Sequence, residues 1–311
     1  IIGTAGANVT IDNCVNTGNV AVHALGTTYY GNLTEVNSGT IIRCQVNLPE
    51  QFQGTYAGGI TGKNTAEGEI IDCMVSGTVI GSRMAGGIAA ENFGSITTPS
   101  KTLTMSGGVQ SENGCIGGAV GFNAGTVTAS DVNVKLSGDT YRAGGIAGIN
   151  RGTINAAKAE GAILVSGGTG AVGGIAGESR GKITDCSFTG SVQAAGTGIT
   201  GIGGIIGLLS GEAVVTGCEN NGKIEGSHNA GGIVGIVDQL DGSQNVSMEN
   251  CVNHGSIYGK NASGVAGRIS GIANGTLLIR NCVNTADLDG QSSVTGGIIG
   301  ILDGKANGGN I

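Results

Sequence analysis

The sequence contains no tryptophan, only 2 prolines and few charged residues. Charged side chains make up 12% of its 311 residues, and the formal net charge is −7. Lys and Arg do not cluster as they do where a protein neutralises phosphates, so we expect no nucleic-acid partner. No apolar run reaches the roughly 20 residues of a membrane helix, so we expect no membrane insertion. The 64 glycines lack the strict triplet period of collagen.

The glycines instead recur in one phrase. Residues 144–154 read GGIAGINRGTI, and weaker copies of this phrase begin at Gly31 and Ser263. The interval between copies is 27–33 residues, which is typical of repeat proteins whose units bury their apolar faces by stacking on each other. We therefore expect residues 1–311 to form a single elongated repeat domain. The clearer copies begin at Gly58, Gly86, Gly117, Gly173, Gly203, Gly231 and Gly296.

Each unit carries three short β-branched segments separated by Gly and Asn, and no segment has a helical period. Three strands in about 30 residues match one coil of a parallel β-solenoid. A propeller blade has about 40–50 residues and four strands, and the leucine scaffold of a leucine-rich repeat is absent. The sequence therefore predicts an all-β fold, a parallel β-solenoid (β-helix) of about ten coils with three short strands per coil.

Seven of the 8 cysteines occupy one position of the repeat, three residues after an aliphatic residue. Small residues fill its gaps, so we predict a tight interior column of buried, reduced thiols. An offset of three breaks strand alternation and requires a bend. In-register Cβ atoms would lie about 4.8 Å apart, too far for good disulfides, and the spacing does not match a metal site. The column comprises Cys14, Cys44, Cys73, Pro99, Ser130, Ala157, Cys186, Cys218, Cys251 and Cys282, and only Cys115 lies elsewhere.

Asparagine forms two further columns, where stacked amides can hydrogen-bond from coil to coil at a corner. The first column follows the glycine phrase at Asn37, Asn64, Asn92, Asn123 and Asn150, and Ser179 continues it. The second contains Asn16, Asn220, Asn253 and Asn284.

The glycine strand should point one aliphatic column inward and, by alternation, the next residue outward. This outward column is nearly all apolar, so either a second layer or loops cover it, or it is an adhesive stripe; coverage is favoured. The inward column is Leu33, Ile60, Ile88, Ala119, Ile146, Ile175, Ile205, Ile233, Val265 and Ile298. The outward column is Thr61, Ala89, Val120, Ala147, Ala176, Ile206, Val234, Ala266 and Ile299.

Few residues suggest chemistry. His23, His228 and His254 do not form an H-E-x-x-H motif, and we interpret them as surface or turn histidines. Asp238 and Asp303 lie in longer loops whose oxygens suit calcium, but their spacing matches no known calcium loop, which favours solvated acids. We assign no catalytic, cofactor-binding or metal-ligating residue and expect no cofactor.

The phrases GGIAGINRGTI and GGITGKN resemble the GLUG repeat, which occurs in large bacterial surface proteins, including adhesin-like proteins and IgA-cleaving zinc metallopeptidases. The resemblance covers nearly the whole chain from Gly31. Departures are Ala90 and Glu35 at the closing glycine, and the loss of Asn after Gly207, Gly235 and Gly300. The resemblance implies an extracellular location, at a bacterial cell surface or secreted, and it does not imply catalysis.

The leading hypothesis is a non-catalytic, adhesin-like rod that binds or presents a ligand, with a host or cell-surface glycan or protein as partner. The alternative is a carbohydrate-active β-helix enzyme, a polysaccharide lyase or glycoside hydrolase, although Tyr 5 and Phe 4 offer few platforms for sugars. An ice-binding solenoid would need a flat Thr array, and Thr is scattered. Since no cap is recognisable near Ile1 or Ile311, we expect the chain to continue or to self-associate end to end or laterally.

Overall fold

The computed structural model describes residues 2–18, 29–48, 52–98, 103–111, 114–238, 245–270, 275–291 and 294–303. These residues form parallel strands and no helix, so none of them forms a helix that could cross a membrane. Successive coils of about 30 residues pair strand to strand, as in the register of Ala147 with Val120 on one side and with Ala176 on the other. The predicted parallel β-solenoid is confirmed.

The first two sheets lie on the two sides of the asparagine corner. Eleven described strands form the first sheet: Ile2–Ala5, Thr34–Asn37, Thr61–Asn64, Ala89–Asn92, Val120–Asn123, Ala147–Asn150, Ala176–Ser179, Ile206–Leu209, Val234–Val237, Ala266–Ser270 and Ile299–Asp303. Ten form the second: Thr10–Asp12, Thr40–Ile42, Glu69–Ile71, Ser95–Thr97, Thr126–Thr128, Thr153–Asn155, Lys182–Thr184, Ala213–Thr216, Asn245–Glu249 and Thr276–Arg280.

The third sheet is longer than the sequence indicates, because it bends and continues to the glycine pair of the next coil. Strands after the cysteine column are Val15–Asn16, Gln45–Asn47, Leu103–Gln110, Asp131–Gly138, Lys158–Glu160, Ala162–Val165, Ser187–Phe188, Ser191–Ala194, Glu219–Asn220, Val252–Asn253, Val283–Asn284 and Leu288–Asp289. Strands that lead into the glycine pair, which we call the return strip, are Tyr29–Gly31, Phe52–Gly58, Cys115–Gly117, Arg142–Gly144, Thr169–Gly173, Gly198–Gly203 and Val294–Gly296. Met74–Gly86, Lys223–Gly231 and Ile257–Ser263 span both parts.

The bend required before the cysteine column is present. The residue that precedes the column adopts a left-handed conformation coil after coil, which turns the chain from the second sheet into the third and returns the next side chain to the interior. Asn and Asp tolerate this region better than other non-glycine residues. These residues are Asn13, Arg43, Asp72, Ala129, Ala156, Asp185, Gly217, Asn250 and Asn281, with φ between 49° and 65°.

The outward apolar column is covered, as the prediction favoured. Seven of its members, Ala89 to Ala266, have no exposed surface, and neither has Thr61. These seven residues belong to the hydrophobic core, and the return strip packs on the same strands: Arg142–Gly144 contacts Ala147–Asn150 and Ala176–Ser179. The backbone of Gly144 lies so close to the next coil that an added Cβ would be 2.7 Å from the Cα atom of Ala176. The inward column is also buried except Ile298, in the last described coil, which is 40% exposed.

The second glycine of the phrase faces the core. At Gly145, an added Cβ would overlap the carbonyl oxygen of Gly174 and lie 2.6 Å from the Cβ atom of Ala159. Contacts that short are not seen for real Cβ atoms, so any larger residue would push adjacent coils apart. The repeated glycines are therefore explained by close approach between coils rather than by flexibility.

The first asparagine column forms a continuous ladder. Asn37, Asn64, Asn92 and Asn123 each donate from Nδ2 to the Oδ1 atom of the next asparagine at 2.8 Å, and Asn150 donates to Ser179 Oγ at 3.2 Å. All are fully buried. The second column forms a shorter ladder: Asn220 donates to Asn253 and Asn253 to Asn284, each at 2.7 Å. Asn16 lies apart from it and donates to Asn32.

The two end coils differ from the interior of the rod. Val15 is 62% exposed at one end, and Val283 and Leu302 are 47% and 48% exposed at the other. No further coil of the described chain stacks on them, so their apolar residues meet solvent. Ile1 and Ile311 lie outside the described residues, and self-association of the ends stays a prediction.

Candidate functional site

A cluster of aromatic and charged side chains lies on the outer face where the return strip meets the first sheet. Lys63, Glu91 and Phe122 are register neighbours on three successive first-sheet strands. They lie two residues beyond the covered positions Thr61, Ala89 and Val120, and their side chains are partly exposed. We call the following residues the aromatic ribbon: Tyr29, Tyr56, Lys63, Glu91, Phe93, Phe122 and Arg151.

The rings of the ribbon are paired, and cations lie over three of them, Lys63 over Tyr29 and Phe93 and Arg151 over Phe122. The centroids of Tyr29 and Tyr56 are 5.1 Å apart, and those of Phe93 and Phe122 are 5.8 Å apart. Lys63 Nζ bridges the two pairs, at 5.4 Å from the Tyr29 ring and 5.1 Å from the Phe93 ring. Both distances are within the range of cation–π attraction, so the lysine holds the two aromatic pairs together.

Carboxylates complete the ribbon and extend it. The Tyr29 hydroxyl donates to Glu91 Oε2 at 2.7 Å, and burial, together with this carboxylate, raises the pKa of Tyr29 above its ordinary value, so the ring stays neutral. Farther along the same face, Glu178 accepts from Arg142 at 2.8 Å and from Arg180 at 3.2 Å. The side chain of Glu178 is 10% exposed, so this ion-pair network is largely desolvated and geometrically fixed.

The ribbon was missed at the level of sequence, where the small number of aromatic residues was taken to disfavour binding platforms. The signal was present in the spacing. Tyr29 and Tyr56 are 27 residues apart, and Phe93 and Phe122 are 29 apart, which are both one period of the repeat. The coils therefore stack scarce rings in pairs on one face.

The predicted histidines and acids lie apart from the ribbon. His228 contacts Ser227 Oγ through Nδ1, at 3.0 Å, and His254 contacts Thr285 Oγ, at 2.6 Å. His23 lies outside the described residues. Asp238 accepts from Ser270 Oγ at 3.0 Å, and Asp303 pairs with Arg268 at 2.5 Å. The segments that follow these two aspartates, 239–244 and 304–311, are not among the described residues, and calcium binding stays untested.

The cysteine column is confirmed in its interior and wrong at its ends. Five thiols, those of Cys44, Cys73, Cys186, Cys218 and Cys251, are buried, and all eight cysteines are free. Cys14 is exposed and Cys282 is half-buried, because each lies in an end coil that is stacked on one side only. Ser130 and Ala157 fill gaps of the column and are buried, whereas Pro99 lies outside the described residues.

The buried thiols act as small interior side chains. Cys186 Sγ donates to the carbonyl oxygen of Thr184 at 3.2 Å, and Cys251 repeats the contact with Glu249 at 3.3 Å. A hydrogen bond with Cys218 and burial raise the pKa of Cys251 to about 12. Among the described residues, no three His, Cys, Asp or Glu side chains gather as metal ligands would.

Alkylation of the native protein should therefore separate the thiols into classes. We expect Cys14 to react with iodoacetamide first at pH 8. Cys115 should react slowly, because burial raises its pKa to about 11 and leaves little thiolate. The five buried thiols should need denaturant. Peptide mass spectrometry with and without urea measures this, and rapid native labelling of several buried thiols would contradict it.

Comparison with known proteins identifies one family. A model described as the GLUG motif matches residues 53–80 and 168–193. Each matched segment spans about one coil, from the return strip through the first and second sheets to the bend and its cysteine, Cys73 in one and Cys186 in the other. No curated protein and no solved structure matches the chain.

Proposed function

The chain carries the GLUG motif on a parallel β-solenoid, and on that premise we propose that it is a non-catalytic extracellular surface module. In this proposal it is an adhesin-like rod at a bacterial cell surface, or a secreted one, and it binds a host or cell-surface protein or glycan. The observation that carries the proposal is the aromatic ribbon. The location follows from the resemblance to GLUG-repeat surface proteins, with which the fold and the motif are compatible.

The composition of the ribbon suits recognition. Tyr and Arg are enriched among the residues that dominate binding energy, and the ribbon contains Tyr29, Tyr56 and Arg151. Coil-to-coil hydrogen bonds hold the strands beneath it, and the ring pairs and Lys63 restrain its side chains. Little rotamer entropy is then lost when a partner binds, which favours affinity.

The spacing of the carboxylates on this face bears on the alternative function, a carbohydrate-active enzyme. Glycosidases place two carboxyl groups about 5–9.5 Å apart. The two partly or fully buried carboxylates of this face, Glu91 and Glu178, occupy one register column and are separated by Phe122 and Ile149. Three coil steps of about 4.8 Å place them roughly 14 Å apart along the rod. Glu178 is also engaged by two arginines, so a binding role is favoured.

Binding of the purified chain to a glycan array and to immobilised host glycoproteins tests the proposal. We expect the double variant Tyr56→Ala/Phe93→Ala to lose at least about tenfold in affinity for any ligand found, as for hot-spot residues. Tyr258→Ala is the matched control, since Tyr258 is 40% exposed on a distant coil outside the ribbon. Equal losses in both variants, or no ligand in either panel, would contradict the proposal.

A further inference from the structure

A separate groove of about 780 Å³ crosses several coils on the outside of the third sheet. It lies where the strands bend toward the return strip. Gly77 and Gly138 have φ values of 113° and 129° on two of these strands, and the register of Met74–Gly86 with Phe52–Gly58 shifts between Gly81 and Met84. The volume is within the range of small-ligand clefts, about 300–1,000 Å³.

The groove presents one register column. Gln53, Ile80, Gln110 and Ser137 pair across successive strands and all line it. They repeat one position along the rod at steps of about 4.8 Å. The column continues outside the groove through Leu164 to Gln193. The groove therefore offers regularly spaced side chains to an elongated ligand.

Several polar side chains of the groove have no partner within the described chain. Within the described chain, the side chains of Gln53, Thr55, Gln110 and Ser137 make no hydrogen bond. Ser111 also lines the groove, is only 2% exposed, and has an Oγ atom without a partner. An unpaired buried hydroxyl is unfavourable, so a ligand that pairs with it gains affinity.

The described part of the lining is also uncharged: none of its eleven residues is Asp, Glu, Lys, Arg or His. Amide and hydroxyl groups both donate and accept, which matches ligands whose own hydroxyls do the same. Tyr30 and Ile80 add apolar surface for C–H groups. A charged ligand would find no counter-charge among these residues.

An extended peptide fits less well. Peptides that add to a sheet need an unpaired strand edge. Ile80, Gln110 and Ser137 are each paired on both sides, so their strands have no free edge at the groove. Only Gln53 is paired on one side alone among the described residues, so along most of the groove a ligand is engaged through side chains.

We propose that this groove binds a neutral oligosaccharide, with Gln53 and Gln110, which are two coil steps or roughly 9.6 Å apart, hydrogen-bonding to hydroxyl groups of two different sugar units. The site is distinct from the aromatic ribbon and extends the proposed function by a second binding site, whose ligand is a neutral oligosaccharide. The oligosaccharide is expected to lie along the rod axis, because the unpaired groups that would bind its hydroxyls are aligned in that direction.

Titration calorimetry of the whole chain tests the proposal with maltopentaose, cellopentaose, xylopentaose, N-acetylchitopentaose and, as a charged comparison, pentagalacturonate. We expect at least one neutral pentasaccharide to bind and pentagalacturonate not to bind. Gln53→Ala/Gln110→Ala should weaken binding at least about tenfold through two lost hydrogen bonds. Gln193→Ala, the same residue type in the same column outside the groove, should stay within about twofold of the wild type.

Three results would overturn the proposal: no neutral pentasaccharide binds at millimolar concentration, pentagalacturonate binds more tightly, or Gln193→Ala weakens binding as much as the groove variant. Gln53 is exposed and Gln110 is half-buried, and circular dichroism with thermal melting verifies that the double variant and Gln193→Ala fold. Phe93→Ala should leave pentasaccharide binding unchanged. The experiment can therefore contradict the proposal for the groove without contradicting the proposal for the ribbon, and the reverse.

Discussion

Lysine in place of Ile206 should prevent the rod from folding, whereas lysine in place of Leu208 in the same strand should be tolerated. Ile206 has no exposed surface and packs in the hydrophobic core, on a strand that contacts the return strip. An ammonium group there has no partner, and its effective burial penalty is several kcal/mol, comparable with a total domain stability of about 5–15 kcal/mol. Leu208 faces outward and is half-buried, so a lysine stem can lie along the surface with its charge in water.

Soluble yield, circular dichroism and dye binding to exposed apolar surface measure this difference. Ile206→Val is a second control, since it removes one methylene and should cost only about 0.5–1.5 kcal/mol. A cooperative Ile206→Lys variant with the wild-type melting temperature would show that Ile206 is not buried in solution.

Leucine in place of Asn123 should destabilise the protein by about 2–6 kcal/mol, the cost of two buried polar groups left without partners. Asn123 is fully buried, accepts from Asn92 Nδ2 at 2.8 Å and donates to Asn150 Oδ1 at 2.8 Å. Leucine supplies neither bond, so one amide loses its acceptor and the other its donor.

Urea unfolding gives the free energy directly. Asn133→Leu is the matched control, because Asn133 is exposed on the third sheet and its loss should change stability by no more than about 0.5 kcal/mol. The reciprocal change, Leu209→Asn, inserts an amide where the column has become apolar and should also destabilise. If Asn123→Leu and Asn133→Leu change the free energy of unfolding equally, the ladder orients the corner residues but adds no net stability.

The stacking of the coils was predictable because equivalent residues recur at a nearly constant interval. The columns of Ile146 and Asn123 follow from that interval alone, and both are buried as expected. The bend before each cysteine was predictable as well, since an offset of three breaks strand alternation. Its left-handed residues were not, because only some of them, such as Asn13 and Asp72, are types that favour this region.

The return strip could not be predicted from local pattern. Its strand Arg142–Gly144 contains one fully inward side chain, Ala143, beside glycine, and such a segment has no alternation to detect. Pairing with neighbouring coils creates the strand. Because the return strip was not predicted, the sequence alone did not decide whether Ile206 is buried or exposed. Cys14 and Cys282 were misplaced because a column predicts burial only where coils lie on both sides.

The two amide ladders have a consequence for how such a chain can change in length. The first ladder ends at Ser179, after which its column is filled by Leu209 and Val237, and the second begins at Asn220 where the preceding coil has Phe188. Coils from the two halves are therefore not interchangeable. Duplication of the 120–146 coil within its own half extends an intact ladder. Transposition of that coil beyond residue 209 would place an amide between two aliphatic side chains. Growth or loss of coils is then confined to each half, and the junction between Ser179 and Asn220 is a fixed point of the array.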